Sequence, residues 1–534
     1  MRTGFRKVLA NAHHAWVITI LLSLGSCTSP GSTGSGGTGG TSGNPTGSGG
    51  ATSSGGATST GGSTGSGGST GSGGAKGGST GSGGTNSSGG STGLGGSAAS
   101  SANFNITITQ STAIGTVEIV TWSVDVSIDS AVIDFGRDAS NFEYQAPVDL
   151  KQASYRTLLL GMKQLTNYAV RVTARGGGKT YVSDVKMVKT GSLPNGLFPT
   201  FTKTDADTSS ALYAGGGFTV NCIGLAGSPG ISTGLSGKTA PFIFDKDGDL
   251  VWGLDISSTS ASNCSRARMS YDGLSMYAGN FANASTTGAL YAVPMDGMGT
   301  GTTWKLPGRS HDFAVLPNGH IMYFATDNMM ANTTPGGESI FDLDPGTGAS
   351  TKIYDEATDF ASLIASNSSP ESHTNQVTFS TELNAIAISM LIPSTIAVVS
   401  YPAGKLLHTF GGAQTQYSNM AWTWQHGHDI HKDHIWVFNN NMSGPAHVLG
   451  FTYDPSTKTS MQTLDYNPNI QNTTFGDVKE LPNGNLYVTY SDTGGFHEIT
   501  KSGTLLRKVQ TNTAVGYSEH RATLYGPPPP FATN

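Results

Sequence analysis

From Phe198 onward the chain repeats one unit: a short strand, a tight polar turn and a second strand. That repetition restricts it to β architectures built from many similar sheets. PFIFDKDGDLVWGLD (Pro241 to Asp255) and ARMSYDGLSMYAGN (Ala267 to Asn280) turn through Asp-Gly. VLPNGHIMYFA (Val315 onward) and ELPNGNLYVTY (Glu480 onward) are near copies with Asn-Gly turns. AVVSYPAGKLLHTFGG (Ala397 to Gly412) and VLGFTYDPSTKTSMQTL (Val448 to Leu464) read as outer hairpins. The chain holds about six such units, and a 3.6-residue apolar period is nearly absent. A closed all-β ring, a six-bladed β-propeller over 196–534, accounts for the count and leaves no long exposed edge strand. The terminal YSEHRATLYG is expected to return and complete the first blade.

Three segments open on a histidine at the same place in the unit: SHDFAVLPNGH with His311, SHTNQVTF with His373, and GHDIHKDHIWVF with His428. The spacings are 62 and 55 residues, the pitch of a blade with loop insertions. Equivalent positions of blades converge on the ring axis, so these imidazoles are expected to meet in one cavity. His426 is the rival of His428. His431, His434, His447, His497 and His520 lack the register and read as surface or packing residues. Asp312 and Asp429 each follow an axial histidine and either orient it or bond backbone between blades. Trp422 and Trp424 either wall a substrate pocket or pack a blade interface. Asn439, Asn440 and Asn441 read as turn residues.

Ahead of the repeats lie three other regions. Residues 1–27 have a basic start (Arg2, Arg6, Lys7) and an apolar run, AWVITILLSL, too short for a stable membrane span. Leu24-Gly25-Ser26-Cys27 resembles a bacterial lipoprotein processing site, which implies lipid on Cys27. The alternative is an ordinary secretory signal. Residues 28–101 are Gly, Ser and Thr with few apolar side chains, and cannot bury a core. Treated as a flexible coil, they reach about 45 Å, enough for a tether. Residues 102–195 alternate in period two through VEIVTWSVDVSI and LTNYAVRVTAR. This region resembles fibronectin III/Ig-like β-sandwich domains, with Tyr168 as the corner tyrosine. With Cys27 lipidated, Cys222 and Cys264 remain, either paired in an oxidising compartment or as buried thiols. A net charge of −6, 12% charged residues and no basic stripe exclude nucleic acid as an expected partner.

The order of the repeat segments, with histidines at matching places, resembles the bacterial arylsulfate sulfotransferases that use no nucleotide donor. The resemblance covers most of 200–526 and rests on FIFDKDGDLVW, SHDFAVLPNGH, HTNQVTF with KLLHTFGG, HGHDI to VFNNN, and GDVKELPNGNLYVTYSDTGGFHEITKSG. It implies a propeller, often behind a β-sandwich, that moves a sulfuryl group from an aryl sulfate donor to a phenolic acceptor. The intermediate is a sulfohistidine, and no cofactor or metal is involved. The nucleophile falls on His428, which precedes Asp429-Ile430. His311 and His373 bind the sulfate oxygens, and Asn375 matches a polar residue after the middle histidine. One departure stands out. The family has an arginine after a serine pair where this chain reads Ala387-Ile388-Ser389-Met390-Leu391, so Leu391 takes the place of a guanidinium clamp. Arg309 is the expected substitute, with Arg266, Arg268 and Arg521 as further candidates.

Two other functions fit the same residues. Three convergent histidines can hold a divalent ion for a lyase or hydrolase, with Glu371 and Gln376 adding oxygens. Alternatively, a lipid-tethered ring lacking the arginine suits a non-catalytic binding module. The expected location is the bacterial cell envelope, lipid-anchored, at the outer membrane.

Overall fold

The computed structural model describes residues 101–205, 217–223, 238–261, 263–280, 288–326, 337–366, 372–441 and 443–527. The leader with Cys27, all but the last residue of the 28–101 segment, and Glu371 lie outside them. Among the described residues no helix is long and apolar enough to cross a membrane. The described residues are all-β, with 33 strands and one α-helix, Glu356–Ala365.

Residues 104–189 form two sheets. One orders Phe104–Gln110, Glu118–Val124 and Thr157–Leu159. The other is built on Ser130–Gly136 and Asn167–Gly176. Both pack side chains into one core, with Val120 and Trp122 from the first meeting Ile133, Phe135, Val170 and Val172 from the second. The Tyr168 hydroxyl accepts a bond from the Lys163 amide at 2.8 Å, pinning the loop that leads into its strand.

The repeats then form six sheets, and the chain enters the second to the sixth along an edge strand, here called the inner one. Inner strands two to six are Cys264–Met269, Arg309–Val315, Thr374–Ser380, Gln425–Ile430 and Asp477–Glu480. In the first sheet the C-terminal strand Glu519–Arg521 pairs with Phe218–Ile223, as expected of the returning terminus. Phe201–Asp205 adds a fifth strand at the outer edge of the sixth sheet.

Alternation along each strand feeds two neighbours. Ile435 and Val437 of the fifth sheet pack on the fourth, whereas Trp436 and Phe438 pack on the sixth. Because both faces are covered, the middle strands read as continuous apolar runs rather than alternating ones. The sixth sheet returns to the first: Phe496 lies 5.0 Å from Phe244, and Tyr487 shares a 2.7 Å hydroxyl bond with Thr219. Cys222 of the first sheet is bonded to Cys264 of the second across 42 residues. Closing a loop of that length contributes about 4 kcal/mol in the chain-entropy account.

A buried polar belt crosses the inner strands. Arg266 donates to both oxygens of Asp312 (2.7 and 3.1 Å) and to Asp477 (3.0 Å), and Gln376 donates to Asp477 (2.9 Å). One guanidinium, two carboxylates and a glutamine amide thus tie sheets two, three, four and six together. Each charge is compensated, as its burial requires.

The two parts of the chain are joined firmly. Lys163 reaches from the sandwich into Asp245, Asp247 and Asp249 of the first repeat hairpin at 3.2, 3.0 and 2.5 Å. Tyr525 accepts from the Leu160 amide and donates to the Leu158 carbonyl. Ile114 and Leu160 enter the apolar cluster of the first two sheets.

Candidate active site

The inner strands do not start as regular β-structure. Ladder register shifts between Cys264 and Arg266, Arg309 and Phe313, Thr374 and Gln376, and Gln425 and His428. Left-handed backbone recurs at the same level: Asn263, His311, His373, Trp424 and Phe475 have φ of 72°, 21°, 48°, 61° and 52°. Such a conformation costs a non-glycine residue about 1–3 kcal/mol, and bulges with this geometry re-aim side chains. Two of these residues are the imidazoles that lie together, His311 and His373.

The ring of His311 stands 5.0 Å from that of His373. Phe475 lies 6.1 Å from both His311 and His426, and Tyr517 lies 4.9 Å from Phe475 and 6.4 Å from His426. Nδ1 of His311 is paired with Ser310 Oγ. Nδ1 of His426 faces Asn440 Oδ1 at 2.7 Å. The Asn440 amide is oriented by its own donors, which bond to the Asn472 and Phe475 carbonyls at 2.9 Å each. Its oxygen must therefore face His426, so Nδ1 carries the proton and Nε2 keeps its lone pair. Burial pushes His426 down to about 3, against the pull of Asn440 and with a contribution from His373. Burial, His373, His426 and Arg309 hold His311 well below the usual histidine value. His426 and His311 are therefore neutral at pH 7.

The expectation that His428 meets His311 and His373 is corrected: the imidazole beside them is His426. Two residues apart on a regular strand, both would share a face. The register shift between Gln425 and His428 breaks that relation. Gly427 packs so closely on Asp477 that a Cβ there would lie 2.5 Å from the Asp477 Cα. His428 is fully buried, with Nε2 on Thr378 Oγ1 (2.9 Å), its amide donating to Gln376 Oε1 (2.8 Å) and its carbonyl accepting from Lys479 (2.5 Å). It is likewise pushed down to about 3, chiefly by burial.

Asn375 is buried behind the trio. Its amide donates to the Gln425 carbonyl at 2.8 Å, bracing the residue before His426, and its own carbonyl accepts from the Tyr517 hydroxyl at 2.9 Å. Its Oδ1 has no hydrogen-bond partner. Leu391 does abut the middle histidine, its amide donating to the His373 carbonyl at 3.0 Å. Of the four arginines considered, Arg266 is committed to the belt. Arg268 bonds the Phe313 carbonyl and Glu519, and Arg521 bonds Glu519. Arg309 differs. It is fully buried, one nitrogen bonds the Asn280 carbonyl, and Nε and Nη2 have no partner. Burial holds it down to about 10. Asp312 serves the belt, and Trp422 packs on Phe451 between the fourth and fifth sheets.

Sequence reasoning missed Asn440, Ser310, Phe475 and Tyr517. The recurring Ser-His pairs at 310–311 and 372–373 signalled the first histidine's partner. Nothing local marks Phe475 or Tyr517, which reach the cluster from the sixth sheet's entry and the returning terminus.

Residues 359–512 match the family model described as arylsulfotransferase (ASST), which supports the resemblance seen in the sequence. No curated protein matches the chain. Among solved structures, a protein of unknown function from Bacteroides caccae is 12% identical over 57% of this chain and 97% of its own, with a TM-score of 0.37. A putative 6-phosphogluconolactonase from Bacteroides fragilis is 14% identical over 58% and 99%, TM-score 0.34. Virginiamycin B lyase from Staphylococcus aureus is 10% identical over 66% and 93%, TM-score 0.32. Likeness at these scores says nothing further about this chain.

Proposed function

We propose that this chain, an arylsulfotransferase-family protein by its residues 359–512, moves a sulfuryl group from an aryl sulfate ester to an acceptor phenol through a sulfohistidine on His426. The fixed tautomer of His426 carries this reading: a neutral imidazole whose Nε2 lone pair is free of its Asn440 partner, next to His311 and His373. Nε2 attacks sulfur, the S–O bond to the aryl oxygen breaks, and the departing phenolate leaves and takes its proton from solvent. In the second half the acceptor phenol gives up its proton to a neutral neighbouring imidazole, its oxygen attacks sulfur, the N–S bond breaks, and the imidazolium returns the proton to solvent. N–H groups of His311 and His373 aimed at the sulfate oxygens stabilise the charge spread over them in both transition states. Arg309, with two unsatisfied donors beside His311, supplies the cationic clamp that Leu391 lacks. Trp424, half-buried ahead of His426, walls the aryl ring.

Three wider readings accompany this one. The six sheets close as a six-bladed propeller, supported by the contacts of the sixth sheet with the first and by the terminal strand. Residues 102–195 are a fibronectin III/Ig-like sandwich, supported by the Tyr168 bond. Cys27 carries lipid and 28–101 tethers the enzyme at the cell envelope, supported by the leader composition and by the oxidised Cys222–Cys264 pair.

The test is phenol-dependent release of p-nitrophenolate from p-nitrophenyl sulfate. The wild type and His428→Ala should turn over, and His426→Ala should not. Activity lost in His428→Ala and kept in His426→Ala would return the nucleophile to His428. No release by folded wild type with several phenols would end the transferase reading.

A further inference from the structure

The same inner strands have a second end, beyond the belt, and a cavity of about 380 Å3 opens there. It is lined by Thr378, Arg268, Lys479 and Glu480, together with two histidines that the transfer chemistry does not use, His431 and His434. The hairpin turn that joins the first two strands of the fifth sheet brings these imidazoles into parallel stacking, 4.3 Å apart and 8° from coplanar. Each ring has a carboxylate on its Nδ1: Glu382 at 3.3 Å for His431 and Asp433 at 2.6 Å for His434. Each turns Nε2 the other way. Nε2 of His434 meets Glu480 Oε2 at 2.9 Å, and Nε2 of His431 meets Asp429 Oδ2 at 3.4 Å.

This is how a protein prepares imidazoles for a metal. A carboxylate on the far nitrogen fixes the ring, sets the tautomer with the proton on Nδ1 and raises the basicity of Nε2. Glu480 is itself fixed by the Trp436 indole N–H at 2.8 Å and by Lys501 at 2.6 Å. One ligand atom from each of His431, His434 and Glu480 lies within 4.8 Å of the others. The described groups with this convergence are that trio and Asp245, Asp247 and Asp249, and the second already holds the Lys163 ammonium. The axial histidines of the first end are not among them.

We propose that His431, His434 and Glu480 bind one divalent transition-metal ion of the zinc class at the second end of the inner strands, with a coordination position open to the cavity. Two imidazole nitrogens and a carboxylate oxygen are a borderline donor set that suits zinc over magnesium or calcium. Metal binding displaces two protons to solvent, the one between His434 and Glu480 and the one between His431 and Asp429. Arg268 and Lys479 line the same cavity, so the ligand the ion would take is water or a small anion.

The experiment is equilibrium binding of Zn2+ to the full chain after chelator stripping, followed by calorimetry and metal analysis of the dialysed protein. One ion per chain is expected in the wild type and in His311→Ala, and none in His431→Ala/His434→Ala. Glu382→Gln and Asp433→Asn, which keep the ligands and remove the charge on Nδ1, should weaken binding by about 10- to 100-fold. Circular dichroism of every variant guards against loss of fold, and the two milder variants stand if the double one unfolds. Absence of stoichiometric binding, binding that survives in the double variant, or binding lost in His311→Ala would overturn the site. Arylsulfate turnover is not a readout here, so failure of the transferase reading leaves this test intact.

Discussion

The two ends of the inner strands use the same residue type in opposite electrostatic settings. At the first end His311 and His426 are buried among aromatic rings, with hydroxyl and amide partners, and stay neutral. At the second, His431 and His434 sit among Glu382, Asp429, Asp433 and Glu480. A neutral imidazole with a fixed lone pair is a nucleophile, whereas an imidazole backed by carboxylate is a base or a ligand. The belt of Arg266, Asp312, Asp477 and Gln376 absorbs the charge between them. What an axial histidine does is therefore decided by its partner on the other nitrogen, not by its place in the repeat.

The largest expected effect breaks this contrast at its centre. His426→Ala should lower turnover of aryl sulfate by roughly four orders of magnitude or more, as removal of a covalent nucleophile does. His428→Ala should cost less than about tenfold and act through stability, since it removes a buried side chain bonded to Thr378. Rapid-quench labelling with sulfate-labelled donor separates the two: labelled protein should persist in His428→Ala and vanish in His426→Ala. Next comes the partner itself. Asn440→Ala should lower kcat by about 10²–10⁴, because the wrong tautomer turns the lone pair away, as loss of the orienting carboxylate does in serine proteases. Asn440→Asp should convert the first end towards the character of the second. Its carboxylate raises the His426 pKa, and the acid limb of the pH–rate profile should move up from its low wild-type position.

Much of this was legible in the sequence, and what was not has a physical cause. The Asp-Gly and Asn-Gly turns located hairpins such as Ala240–Asp245 with Leu250–Gly253, and the terminal strand paired where expected. The pairing of Cys222 with Cys264 is one of the two states that the cysteine count left open. The histidine register brought His311 and His373 together, but it failed at His428, since a two-residue count cannot see a bulge. The helix Glu356–Ala365 went unread, although Asp355 caps it by accepting from the Ala357 amide at 2.9 Å. That helix matters to the site, for its buried Glu356 accepts from Thr374 Oγ1 at 2.6 Å directly after His373. A ten-residue helix between strands gives too few turns for its period to stand out. Asn440 was discounted because an asparagine run usually marks a turn, and only its distant acceptors on Asn472 and Phe475 reveal its orientation.

Acid should expose the low pKa values of the buried histidines. His426 is held at about 3, and burial holds His497 and His520 at about 4. Each takes a proton in the unfolded chain near 6.5 but not in the folded one. Folding stability is therefore fully present above 6.5 and falls as pH drops towards 3–4, at about 1.4 kcal/mol per unit of depression. Urea unfolding midpoints between pH 7 and 4 should fall steadily, and less steeply in His497→Gln. A flat profile would show that these histidines are not held neutral. Arg309→Leu should act at the next scale down. The loss of a charge-assisted clamp is worth about 1.5–3 kcal/mol, read as a rise of about 10- to 150-fold in KM for the donor. Placing an arginine there as Leu391→Arg in that background should recover affinity if the two guanidinium positions serve the same oxygens. An Arg309→Leu variant with unchanged KM would assign this arginine to the interface of the second and third sheets alone.

The smallest effect tests whether the contrast between the two ends depends on the sandwich at all. Lys163 is the ammonium shared by Asp245, Asp247 and Asp249, and it is mostly but not wholly buried. Lys163→Met keeps its apolar stem and leaves three carboxylates facing one another. Solvent reaches this cluster, since Asp249 is exposed, so screening limits the loss to about 1–2 kcal/mol, or a few degrees in Tm. Because Tyr525, Ile114 and Leu160 also hold the junction, the sandwich should stay docked. Turnover at the first end and Zn2+ binding at the second should both be unchanged. If either moved with Lys163→Met, the sandwich would be part of that site, and the difference between the ends could no longer be assigned to the partners of four histidines.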